Sequence, residues 1–84
     1  MANLATFDIT SNDYVDVETA ASISLVADTY YTIQGLNGDF MIRVGDTGEG
    51  FYVKSLQGIG YTHASGDTLN IKKLHSGTLT VNIG

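Results

Sequence analysis

The chain has no cysteine, no proline and no tryptophan, and only four basic side chains stand against nine acidic ones in its 84 residues. Without cysteine there is no disulfide and no thiolate metal site. The net charge of −5 argues against nucleic acid as a partner, because phosphate binding needs clustered Lys and Arg. Lys72 and Lys73 are adjacent on an expected strand, so they point to opposite faces and make a poor phosphate cradle. No apolar run approaches the ~20 residues a helix needs to cross a bilayer. Met1-Ala2-Asn3-Leu4-Ala5 has neither the positive nor the apolar region of a signal peptide. The expectation is a soluble protein made in the cytoplasm, without a membrane partner.

Helical periodicity is missing too. Val17–Ser22 is the best candidate, barely more than a turn, with Asp16 placed to cap it. What the chain does contain is ten glycines among short runs that alternate apolar and polar residues. Period-2 alternation broken by turn residues predicts strands. They fall at Ala5–Ile9, Tyr14–Val17, Ser22–Val26, Tyr30–Gln34, Phe40–Val44, Phe51–Leu56, Thr68–Leu74 and Thr78–Ile83. This is an all-β pattern: a small single-domain β-sandwich or barrel of about eight short, mostly antiparallel strands.

At 9.0 kDa, surface scaling gives a buried fraction of about 60–65%, enough for one core and a marginal one. Burial completed against neighbouring subunits is the expected remedy. Residues 1–13 read as an N-terminal strand or arm, and 14–84 as the β-domain. Phe7 and Ile9 share a parity with Ala5 in a segment weakly tied to a single core, so they are candidates for contact with a neighbouring subunit.

Side-chain phase predicts two hairpins. Asn37-Gly38 is a strong type I′ signal, and a turn there sets Ile33 opposite Ile42 and Tyr31 opposite Val44. A three-residue His75-Ser76-Gly77 loop sets Ile71 opposite Val81 and Leu69 opposite Ile83, with Gly77 in a left-handed conformation. If Tyr31 faces the core, Tyr30 faces outward, and Tyr52 likewise opposes Phe51 and Val53. Aromatics are favoured interface anchors, which makes Tyr30 and Tyr52 candidates for a protein–protein contact.

Charge divides along the chain. Residues 1–50 carry eight carboxylates against Arg43, a net of −7, whereas residues 51–84 carry Lys54, Lys72 and Lys73 against Asp67, a net of +2. Such asymmetry can set the orientation of neighbouring copies.

Catalytic chemistry finds little support. His63 and His75 are the only imidazoles, expected as exposed loop residues without the convergent ligands that zinc requires. His63-Ala64-Ser65-Gly66-Asp67 holds the residue types of a triad, yet reads better as a turn. Asp46–Glu49 and the stretch from Ser11 to Glu18 lack EF-hand spacing, and Gly58-Ile59-Gly60 is no phosphate loop. The sequence implies no catalytic residue, no cofactor and no metal.

The order of elements resembles a known group. Tyr14-Val15-Asp16-Val17, a small-residue stretch, Tyr30-Tyr31-Thr32-Ile33-Gln34-Gly35 and strands ending in Leu79-Thr80-Val81 look like small accessory virion proteins of tailed bacteriophages. The chain departs from that pattern in lacking a proline-containing middle loop and in having tyrosine where tryptophan is frequent. The resemblance implies a non-enzymatic structural protein of the virion, first of all a capsid decoration (cement) protein in many copies. Its partners would be itself, as a homo-oligomer such as a trimer, and the major capsid protein or a tail protein. Alternatives are a tail or fibre-base component and, from a different class, a carbohydrate- or host-surface-binding module.

Overall fold

The structure is a computed structural model, and it describes residues 4–84. Eight strands and one short helix follow each other in the order β1 (Ala5–Ile9), β2 (Val15–Asp16), α1 (Val17–Ala21), β3 (Tyr30–Gly35), β4 (Phe40–Val44), β5 (Phe51–Val53), β6 (Gly58–Thr62), β7 (Leu69–Lys73) and β8 (Leu79–Ile83). They form two four-stranded antiparallel sheets, β1-β8-β3-β6 and β2-β7-β4-β5. The fold is a β-sandwich, all-β as the alternation implies.

The core lies between the sheets. One sheet contributes Phe7 and Ile9 from β1, Tyr31 and Ile33 from β3, and Leu79, Val81 and Ile83 from β8. The other contributes Phe40, Ile42, Val53, Leu69 and Ile71. Each set has one parity along its strand, so every second side chain enters the core.

Two expected hairpins are absent for one reason. β3 and β4 lie in different sheets, and so do β7 and β8. Ile33 pairs with Ile59 and Ile83, not with Ile42; Ile71 pairs with Val15 and Ile42, not with Val81. Both connections cross from one layer to the other. Asn37 serves the crossing rather than a tight turn: its side-chain oxygen accepts from the Thr80 amide at 2.8 Å, and its Nδ2 donates to the Thr78 carbonyl at 3.1 Å. Neither Gly38 nor Gly77 has a positive φ.

One expected strand is replaced by another. Ser22–Val26 is irregular because side chains, not a neighbouring strand, take its amides. Leu25 N–H donates to Glu18 Oε2 at 2.8 Å, and Val26 N–H donates to the Tyr31 hydroxyl at 2.8 Å. β6, with its two glycines, was not expected, and it pairs with β3 over five residue pairs.

The two open sides of the sandwich differ. On the side of β1 and β2, α1 closes the gap, with Val17 fully buried and Ala20 and Ala21 packed on the core. Asp16 caps this helix, its Oδ1 accepting from Glu18 N–H at 2.9 Å. On the side of β5 and β6 no element covers the gap among the described residues. An apolar slot of about 130 Å³ opens there, lined by Ile42, Val44, Phe51, Ile59, Tyr61 and Leu69.

The segment before β2 belongs to this sandwich. β1 is paired with β8 from Ala5↔Ile83 to Ile9↔Leu79. Of the expected N-terminal strand or arm, residues 5–9 are thus a strand of this sheet. Residues 1–3 of the expected arm lie outside the described residues.

Candidate docking surface

The four residues nominated for contact have different fates. Phe7 and Ile9 are 7% and 1% exposed and face the chain's own core, because α1 and β8 supply the apolar partners that the sequence seemed to lack. They are not surface residues. Tyr30 and Tyr52 are both 58% exposed, on the outer faces of different sheets, so a single flat contact does not take in both. The Tyr30 ring lies over Gly60, occupying the space that a side chain there would need.

Tyr52 is held by a polar cluster. Its hydroxyl donates to Asp39 Oδ2, and Ser55 N–H donates to Asp39 Oδ1 at 2.7 Å. These bonds, the tyrosine's first, hold the Asp39 carboxyl below its usual range, and the same carboxylate pushes the Tyr52 phenol up. Asn37, Asp39, Leu74 and His75 complete an open cleft beside the ring. An aromatic among polar loop residues is the layout of a sugar site, but here the carboxylate and amide atoms are committed. Both Asp39 oxygens and both Asn37 side-chain atoms already bond within the chain.

The larger exposed residues stand nearby and were not singled out from the sequence. Phe51 is 71% exposed at the mouth of the slot, and Leu56 is 65% exposed on the β5–β6 turn. That turn is closed by Gln57 N–H donating to the Lys54 carbonyl at 3.1 Å, with Leu56 at φ +67°. A turn with positive φ at its third residue usually carries glycine there. A leucine in this conformation is strained and aims an apolar side chain at solvent, a pairing that marks binding surfaces. Leu56 N–H also donates to the Gly35 carbonyl at 2.9 Å, and Gln34 Nε2 donates to the Leu56 carbonyl at 2.7 Å, which fixes the turn against β3.

Charge sets this stretch of sequence apart. From Gly50 through Gly66 the chain has no carboxylate and one lysine, Lys54, so all nine acids lie elsewhere. A signal was available in the sequence: a 17-residue acid-free stretch in a chain of net charge −5, containing Phe51, Tyr52 and Leu56.

The two imidazoles have different surroundings. His63, expected to be exposed, is 6% exposed: its backbone is bonded to Asp28 and Thr29, and its ring lies edge-on to Tyr61 with centroids 5.8 Å apart. Its Nδ1 lies 2.9 Å from the Tyr61 hydroxyl, which also reaches Asp67 Oδ2 at 3.2 Å. The single phenolic proton goes to the carboxylate, leaving His63 Nδ1–H as donor to the phenol oxygen. Burial, with the Asp67 carboxylate second, pushes the Tyr61 phenol up to about 12. The carboxylate thus faces the phenol and not the imidazole, and Asp67 Oδ2 also accepts from Ala64 N–H at 3.3 Å. The arrangement ties a turn to the end of β6. Among the described residues, no three His, Cys, Asp or Glu side chains converge to hold a metal ion.

No family model, no curated protein and no solved structure matches the chain.

Proposed function

We propose that this chain is a non-enzymatic structural domain that works by covering another protein's surface, with a capsid decoration subunit of a tailed-phage particle as the first reading. The observation that carries the docking part is the concentration of Phe51, Tyr52 and Leu56, each more than half exposed, in the acid-free stretch. Apolar side chains gain by burial, and a stretch without carboxylates loses less by desolvation than the acidic remainder of the chain. A specific interface buries about 800 Å² per partner, roughly a sixth of the 4626 Å² surface of this chain. The particle part rests on the resemblance in the order of sequence motifs. The partner on that reading is the major capsid protein.

The test is co-sedimentation of the purified chain with tailed-phage particles of its source. Saturable binding in many copies per particle, reduced at least tenfold by Phe51→Asp or Leu56→Asp, is the expected result. A chain that neither binds particles nor is found in them would overturn the virion reading.

A further inference from the structure

β6 is an edge strand without the features that keep edges apart. Natural edges are blunted by lysine, proline, bulges or inward charges. Gln57–His63 holds no Lys, Arg, Asp, Glu or Pro, and β6 pairs with β3 without a bulge.

The ladder fixes which of its backbone groups point away from β3. His63 N–H donates to the Thr29 carbonyl at 3.0 Å and the His63 carbonyl accepts from Asp28 N–H at 2.8 Å, so both groups of His63 point toward the β3 side. Thr32, opposite Gly60, exchanges both its bonds with Gly84 on the far side of β3. Alternation then turns the N–H and C=O of Gly58, Gly60 and Thr62 outward. Two of these three are glycines. Glycine within a strand often marks a place where another backbone approaches closely.

We infer that β6 pairs antiparallel with β6 of a second copy about a two-fold axis at Gly60, joining two four-stranded sheets into one of eight strands. This register sets Gly60 opposite Gly60 and Gly58 opposite Thr62, so that the outward groups exchange bonds. It also sets Ile59 opposite Tyr61 twice on the inner face, an aromatic–β-branched pair of the kind that stabilises sheets. A second copy is the favoured occupant because the pairing is self-complementary and brings neutral strands together. Approach through the acid-bearing remainder of two chains of net charge −5 meets self-repulsion instead. The inference shares the acid-free stretch of sequence with the proposed docking role and holds whether or not the partner is a phage particle.

The test uses the purified chain alone, so its failure is distinct from failure to bind particles. Sedimentation equilibrium and native mass spectrometry are expected to show a concentration-dependent dimer. Hydrogen exchange is expected to slow at the amides of Gly58, Gly60 and Thr62 as concentration rises, while those of Ile59 and Tyr61 are protected throughout. Thr62→Lys adds a charge to the edge, and Thr62→Pro removes an N–H that β3 does not use. Each should weaken dimerisation at least tenfold, with β-type circular dichroism retained. A monomer up to millimolar concentration, a trimer, or a dimer indifferent to both Thr62 variants would overturn the inference. A Thr62 variant that loses its β-spectrum leaves the exchange pattern of the unmodified chain as the deciding measurement.

Discussion

Gly48 and Gly50 illustrate how a single position is decided by its surroundings. Both have left-handed backbones, at φ +86° and +84°, but nothing lies within 4 Å of a side chain built on Gly48. One built on Gly50 would strike the Ile42 carbonyl and come within 2.7 Å of the Tyr14 hydroxyl. Gly48→Ala should therefore cost about 1 kcal/mol, the price of the conformation alone. Gly50→Ala adds a backbone clash across β4 and β5 and should cost about 3 kcal/mol or more. Equilibrium denaturation of the two variants gives the comparison. Leu56 is the opposite case, a side chain kept in a conformation that suits glycine. Leu56→Gly should raise stability by up to about 1 kcal/mol while weakening capture of the partner, and a melting curve beside a binding isotherm reads both. Tyr61 gives a pH signature. The folded chain holds this phenol protonated to about pH 12, whereas the unfolded chain releases the proton near its ordinary value of about 10. Across that window the unfolded state binds fewer protons, so stability falls as pH rises. The melting temperature should drop between pH 10 and 12, more steeply in the unmodified chain than in Tyr61→Phe.

At the scale of elements, α1 and β6 occupy opposite flanks and differ in what they leave uncovered. Five residues make a helix that is marginal on its own, so α1 depends on its cap, on Val17 in the core, and on Glu18, whose carboxylate takes the Leu25 amide. Asp16→Ala should cost about 1 kcal/mol, with Asp16→Asn close to neutral because the amide oxygen still accepts from Glu18 N–H. Thermal unfolding of the pair separates the cap from the charge. β6 has no such cover. Its assignment from sequence fails because Gly58 and Gly60 read as loop residues, while Tyr30 fills the space above Gly60 and the β3 ladder holds the backbone. Ser22–Val26 fails in the other direction. Ile23 and Leu25 alternate as in a strand, yet the Glu18 carboxylate and Tyr31 hydroxyl take amides that a ladder would have used.

For the whole molecule, charge and closure act together. The acids are distributed around a sandwich closed by α1 on one flank and open at β5 and β6 on the other. The buried Lys73 ammonium offsets none of this by ion pairing: it donates to Asn12 Oδ1 at 3.0 Å and the His75 carbonyl at 2.8 Å, an amide and a backbone oxygen. A net charge of −5 is self-repulsive at low salt. Raising ionic strength from 0.01 to 0.15 M shortens the screening length from about 30 to about 8 Å, so the melting temperature should rise. A flat or falling profile, measured by calorimetry, would mean that the acids are not placed to repel each other.

Composition and alternation alone determined that this chain is all-β, which parity of each core strand faces inward, and that Tyr30 and Tyr52 face outward. Those are properties of a strand taken singly, because the period of two decides the face a residue occupies whatever lies beside it. Only the tertiary structure decided which strands are neighbours. Tyr31 and Ile33 on β3 share an apolar face with Phe40 and Ile42 on β4, and Leu69 and Ile71 on β7 share one with Val81 and Ile83 on β8. In-phase faces of this kind are satisfied equally by lateral pairing and by packing across a core, so parity does not separate a hairpin from a crossing between layers. Here the crossings prevail, with Asn37 bonded to the Thr78–Thr80 backbone and each sheet completed by strands distant in sequence. The same ambiguity hid the exposure of Phe51. Phe51 has the inward parity of Val53, and it stands exposed because, among the described residues, no further strand covers it.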